Sequence, residues 1–148
     1  MNLKDETAKV VNAVHRSLFS ATSGRVGGRV AGMPALILTT TGRRSGAPRQ
    51  TMLTAPIVDG DTVVLVGSYG GDDREPQWCR NLRANPEVEI TMGGRTRPMH
   101  ARIASPEERA ELWSRVTSRY RGYAGYQDRT DRDIPLVIVD PREVHPPR

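Results

Sequence analysis

The sequence predicts a mainly β fold with peripheral helices, an α+β class domain built on an antiparallel barrel. Three observations predict it. The β-prone segments are joined by hairpin turns rather than by regular βαβ crossovers, which disfavours a Rossmann-type sheet. Helical patterning is confined to a few segments before, between and after the hairpins. A length of 148 residues, with 36% hydrophobic and 26% charged composition, supplies one hydrophobic core and not two.

The elements follow in chain order. Over residues 4–20, Val10, Val11, Val14 and Leu18 recur at helical spacing with Lys9, Asn12 and Arg16 on the other side, the pattern of an amphipathic helix. Such a helix either caps its own barrel or makes weak contact with a membrane surface. Gly24 to Gly32 is a short glycine-rich duplication that reads as a mobile linker, so residues 1–34 form an N-terminal helix and linker and residues 35–148 the barrel domain. Ala35 to Thr41 and Arg49 to Val58 are β-prone, separated by Gly42 to Pro48, and Asp59-Gly60 turns the chain into Thr62 to Ser68. Glu75 to Asn85 is helical, because Trp78 and Leu82 are i,i+4 neighbours and Pro86 stops the run. Glu87 to Met92 and Arg95 to Ala104 flank a Gly93-Gly94 turn, with Met99, Ala101 and Ile103 on one face. Ser105-Pro-Glu-Glu108 is a capping box that opens a helix to about Arg121, with Tyr120, Tyr123 and Tyr126 recurring around its end, and Leu136 to Val139 is a last strand.

Several function classes are disfavoured. Aliphatic runs such as Ala35–Leu38, Val63–Val66 and Leu136–Val139 stop at about four residues, whereas a spanning helix needs roughly 20. No apolar stretch of export type follows Asp5 and Glu6, and the single Cys79 cannot form an intrachain disulfide, so a cytoplasmic setting is expected. A G-x-G-x-x-G element and a P-loop are missing, His15, His100 and His145 lie far apart, and Gly67-Ser68-Tyr69-Gly70 is not a nucleophile elbow. No metal-ligand spacing appears.

Charge is distributed unevenly. The chain nets +5, yet residues 1–57 carry eight Lys and Arg against Asp5 and Glu6 alone. A one-sided positive field points to an anionic partner for the first third of the chain. Nucleic acid is disfavoured, because the basic residues fall in glycine loops with few aromatics to stack bases. The segment Thr39 to Arg49 brackets Arg43, Arg44 and Ser45 between Gly42 and Gly46. It is either an anion cradle of backbone N–H groups beside three guanidinium groups, or a hairpin whose charges keep it wet. Gly67 to Gly71 leads to Trp78, Asn81 and Leu82 on one helix face; this is either a wall for a flat ligand or a core tryptophan with a flexible loop. Tyr120, Tyr123 and Tyr126 recur every third residue, their hydroxyls facing a pocket or their rings packing at an edge.

Four motifs together carry a resemblance: Thr39 to Arg49, Ser68 to Gly71, Pro76 to Pro86, and Tyr120 to Pro135. In this order and spacing, from about Gly24 to Asp140, the chain resembles the deazaflavin-dependent nitroreductase family. These are coenzyme F420-dependent oxidoreductases of actinobacterial type, on a split β-barrel of the FMN-binding, pyridoxamine-oxidase-like kind. The resemblance implies that Arg43, Arg44, Ser45, Gly46, Pro48 and Arg49 hold the coenzyme's phosphate and acidic tail. It implies that Gly67, Ser68, Trp78, Asn81 and Leu82 line the deazaflavin ring, and that Tyr120, Tyr123 and Tyr126, with Ser68, face the reacting centre. Where many relatives have Ser-Lys-Gly-Gly, this chain has Ser68-Tyr69-Gly70-Gly71, one cation fewer. The implied reaction is hydride transfer from reduced F420 to a small electrophilic acceptor, a quinone, enone or nitroaromatic, by a monomer or homodimer. An FMN-dependent oxidoreductase on the same barrel and a non-catalytic cofactor or lipid carrier are the alternatives.

Overall fold

The computed structural model describes residues 29–30 and 32–142; the helix expected over residues 4–20 lies outside them. The strands are β1 (Arg29–Val30), β2 (Met33–Thr41), β3 (Pro48–Thr54), β4 (Ile57–Asp59), β5 (Thr62–Val66), β6 (Glu87–Met92), β7 (Arg95–Ile103) and β8 (Leu136–Pro141). Three α-helices interrupt them: α1 (Gln77–Ala84), α2 (Pro106–Arg119) and α3 (Gly122–Asp128), with a 3-10 turn at Tyr69–Gly71. Every strand pair is antiparallel. The hydrogen-bonded order of the main sheet is β3-β2-β6-β7-β8-β5-β4, with β1 paired to the start of β2.

Side-chain alternation curls this sheet. Leu36 and Leu38 of β2 share one buried cluster with Val63 and Leu65 of β5, although three strands separate them in the sheet. Val88, Ile90, Met99, Ala101, Val137 and Val139 complete its lining, and Trp78, Cys79 and Leu82 of α1 close it. The outward residues Val64, Val66, Leu136 and Ile138 meet Val116 of α2, with Trp113, Tyr123 and Tyr126 packed alongside. Strands β5 and β8 are therefore covered on both faces, which is why they read as unbroken aliphatic runs. The sheet edges β3 and β4 are consecutive in the chain but not hydrogen-bonded to each other.

Local chemistry fixes the turns. Gly60 (φ +61) and the pair Gly93 (φ +61) and Gly94 (φ +76) take the left-handed conformations that tight hairpins require. The capping box at the start of α2 is complete: the Glu108 N–H donates to Ser105 Oγ at 3.3 Å and the Ser105 N–H donates to Glu108 Oε1 at 3.0 Å.

The structure differs from expectation in three places. The strand expected over Arg49 to Val58 is two strands, because Pro56 offers no N–H to a ladder. Arg29–Val30 pairs with β2 instead of continuing the linker, Gly32 turning the chain at φ +79. Tyr123 and Tyr126 do not prolong the capped helix. That helix ends with Tyr120 as its C-cap, and the two tyrosines belong to the separate α3.

Candidate active site

A groove of about 1130 Å³ opens between the β2–β3 loop and α1. Its lining includes Thr40, Arg43, Arg44, Ser45, Pro48, Arg49, Trp78 and Asn81, so the structure brings together most of the residues expected to hold a cofactor. Tyr69, Arg74, Glu75, Gln77 and Arg80 join them. Sequence reasoning assigned no site role to Arg74 or Arg80. A signal for Arg80 was available, since it precedes Asn81 and follows Gln77 by one helical turn.

The loop is shaped from within. The Gly42 N–H donates to Ala47 O and the Gly46 N–H to Gly42 O, both at 2.8 Å, and the Ala47 N–H donates to Ser45 Oγ at 3.1 Å. Gly46 sits at φ +71 at the loop's tip, and a Cβ on Gly42 would lie 2.7 Å from Ser45 Oγ. The backbone N–H groups of Gly42, Arg43, Gly46 and Ala47 are thus engaged within the protein, which leaves those of Arg44 and Ser45, beside the guanidinium groups, without an acceptor among the described residues. Asn81 is buried and acts as the loop's anchor. Its Oδ1 accepts from Arg43 Nη1 at 3.0 Å and from the Arg43 N–H at 3.3 Å, while its Nδ2 donates to Thr40 Oγ1 at 3.3 Å.

The groove is strongly basic. Arg43, Arg44, Arg49, Arg74 and Arg80 face it against Glu75 alone, and Glu75 is bound to Arg83 at 2.7 Å. Arg74 is held by Asp72 at 3.1 Å and lies 5.5 Å from the centroid of the Tyr69 ring. Arg43, Arg44, Arg49 and Arg80 have no carboxylate partner among the described residues.

Other expected site residues lie elsewhere. Leu82 is 2% exposed inside the barrel core, and Gly67 is packed so closely that a Cβ there would lie 2.7 Å from Cys79 Sγ. Neither lines the groove, and nor does the buried Ser68, which precedes Tyr69. Burial pushes the Cys79 thiol far above its ordinary value, so it is an inert packing group. Tyr123 and Tyr126 sit outside the groove, edge to face with centroids 5.9 Å apart, on a helix that packs behind the 3-10 turn. The Tyr123 hydroxyl donates to Met33 Sδ at 3.6 Å, and burial raises its pKa. Tyr126 makes no hydroxyl hydrogen bond among the described residues, and the Arg129 guanidinium lies 5.7 Å from its ring centroid. Tyr120 is at the α2 C-cap.

With this geometry in place, comparison with known proteins decides the class. Residues 12–141 match the F420H(2)-dependent quinone reductase family. The chain belongs to that family. It is 41% identical over 133 residues to an F420H(2)-dependent quinone reductase of Mycobacterium tuberculosis, covering 87% of this chain and 89% of the relative. A solved F420-H2 dependent reductase superposes with a TM-score of 0.65 at 39% identity, over 72% of this chain and 94% of that one. A further solved structure, described as a domain-swapped dimer, gives a TM-score of 0.68 at 35% identity, over 91% of this chain and 99% of that one. The fold is the split β-barrel of these reductases, and the enzyme is an oxidoreductase whose donor is reduced coenzyme F420. No helix among the described residues is long and apolar enough to cross a membrane.

Proposed function

We propose that the groove between the β2–β3 loop and α1 holds reduced F420 while a quinone accepts its hydride. The observation that carries this reading is the set of four arginines, Arg43, Arg44, Arg49 and Arg80, facing one groove without carboxylate partners among the described residues. A coenzyme with a phosphodiester and an oligoglutamate tail is a polyanion, and guanidinium groups bind phosphate and carboxylate in bidentate fashion. When bound, F420H2 supplies a hydride, because carbon in place of the flavin's central nitrogen disfavours one-electron chemistry.

The chain's own residues do the rest. Asn81 fixes Arg43, so one guanidinium is positioned before any ligand arrives. Trp78, 7% exposed, gives the groove a flat apolar wall backed by the core. Reducing a quinone requires a proton at its oxygen. The family resemblance assigns the tyrosines to the acceptor side; of the two on α3, which lie outside the groove itself, Tyr126 is the better donor, since the Tyr123 hydroxyl is already engaged with Met33. Tyr120 and Ser68 are assigned to the acceptor side on the family resemblance alone. We read the enzyme as a cytoplasmic homodimer, in keeping with the domain-swapped relative, and light scattering tests that assembly.

The deciding experiment mixes purified protein with F420H2 and menadione and follows recovery of the oxidised coenzyme's absorbance. Turnover, with F420 bound at least tenfold more tightly than FMN, is the expected result. Equal or tighter binding of FMN would overturn the reading.

A further inference from the structure

Between α3 and β8, Arg129, Asp131 and Asp133 are exposed, while Thr130 and Arg132 turn their polar atoms inward. The Arg132 Nε donates to Asp72 O at 2.9 Å, and its Nη2 donates to Ser68 O at 3.0 Å and Gly67 O at 3.2 Å. One guanidinium therefore grips three carbonyls of a loop 60 to 65 positions away. Arg132 is itself held. Gln127 Nε2 donates to Arg132 O at 2.7 Å, and Gln127 Oε1 accepts from the Ile134 N–H at 2.9 Å and Arg109 Nη2 at 3.1 Å. Two more bonds tie the same partners: Thr130 Oγ1 to Asp73 Oδ1 at 2.7 Å, and the Gly67 N–H to Pro135 O at 2.9 Å.

Within the gripped loop lies Tyr69, at φ +46 the one non-glycine residue with positive φ among the described residues. A tyrosine keeps that conformation only where its surroundings over-determine it. The carbonyls held by Arg132 stand on both sides of it, at Ser68 and Asp72. Tyr69 also lines the groove. On the loop's other flank, a Cβ on Gly71 would lie 2.7 Å from Tyr126 O and 3.0 Å from Arg129 Cβ, so α3 abuts the loop directly.

We infer that Arg132 is a positioning residue for the F420 reaction, coupling the groove-side loop of Tyr69 to the tyrosine-bearing helix α3 as a single unit. Its ligand-facing half rests on the cofactor reading above. Lysine cannot replace it, because one ammonium on a flexible stem does not span three carbonyls in a fixed fork. Nη1 is buried without a partner among the described residues.

The test uses Arg132→Met and Arg132→Lys in the full chain with two readouts. In F420-free protein, amide hydrogen exchange is expected to accelerate roughly tenfold or more in both 67–73 and 122–128, and to stay unchanged in the β6–β7 hairpin. In titrations, the F420 dissociation constant is expected to rise about tenfold or more, with Arg132→Lys no better than threefold recovered. Exchange that accelerates in neither segment, or in 67–73 alone, would overturn the coupling. So would a lower melting temperature with an unchanged F420 dissociation constant, the mark of a purely stabilising arginine. If Arg132→Met does not fold, Arg132→Lys carries both readouts. Failure of the wild type to bind F420 would sink the cofactor reading instead, and the exchange measurement would still decide the coupling.

Discussion

The Gly42–Arg49 loop, which lines the candidate site, and the Gln127–Pro135 segment, which braces the Gly67–Asp73 loop beside it, both carry arginines, yet they use the side chain in opposite ways. In the first, Arg44 and Arg49 face a groove with no carboxylate partner among the described residues, and Arg43 is steadied by a neutral amide. In the second, Arg132 and the neighbouring Arg109 direct their donors at backbone carbonyls and a glutamine. A guanidinium bound to carbonyls rigidifies its surroundings, whereas one held over open space keeps its field for a ligand. The same contrast divides the tyrosines: the Tyr123 hydroxyl donates to Met33, and the Tyr126 hydroxyl has no partner among the described residues.

The largest effect that would sharpen this comparison is expected at Tyr126. Tyr126→Phe keeps the ring and should lower steady-state quinone reduction by roughly 10² to 10⁴-fold, the usual worth of a positioned proton donor, with F420 affinity unchanged. Tyr123→Phe should leave turnover near wild type and cost about 1 kcal/mol of stability, because it removes a hydrogen bond internal to the protein. Equal turnover losses in the two variants would erase the distinction. A smaller effect is expected at Asn81. Asn81→Ala frees Arg43 and should weaken F420 binding about tenfold in fluorescence titrations, while Asn81→Gln tests whether any amide can reach the loop.

The comparison also explains what could be read from the sequence. Features set by neighbours along the chain were legible: the Ser105–Glu108 box, the turns at Gly60 and Gly93-Gly94, and the stop imposed by Pro86. So was the Arg43–Arg49 loop, whose glycines and charges lie together. Asn81 was singled out, but its role as the anchor of Arg43 is set by a contact 38 positions away. Arg132 lies in the Tyr120 to Pro135 motif, but its role is not legible there, since its partners lie 60 to 65 positions back in the chain. The three-residue spacing of the tyrosines suggested a common side but not the break after Tyr120 that places two of them on their own helix. Leu82 shares a helical face with Trp78, and only the curled sheet decides that it enters the core.

The smallest expected effect lies far from the groove. Arg102 hydrogen-bonds both Glu108 oxygens, at 2.7 and 2.8 Å, and with the Ser105 N–H holds that carboxyl down at about 2. A carboxyl whose folded-state pKa is depressed stabilises the fold above the ordinary carboxylate range and loses that contribution as pH falls through its folded pKa. The melting-temperature gap between wild type and Glu108→Gln should therefore be steady above about pH 6 and close progressively toward about pH 2. A gap that widens on acidification would contradict the assigned sign. Turnover should be the same in both proteins at neutral pH.

The central claim is that the arginines of the Gly42–Arg49 loop keep their charge for the coenzyme. Its most direct measurement is the F420 dissociation constant as a function of salt, for wild type and for Arg43→Ala/Arg44→Ala/Arg49→Ala. Each charge-assisted contact contributes roughly 1.5 to 3 kcal/mol. The wild-type affinity should fall as salt rises, and the triple variant should bind at least about a hundredfold more weakly with a much flatter salt dependence. A folded triple variant that binds F420 with wild-type affinity and wild-type salt dependence would contradict the account, and would return the loop to an ordinary solvated hairpin.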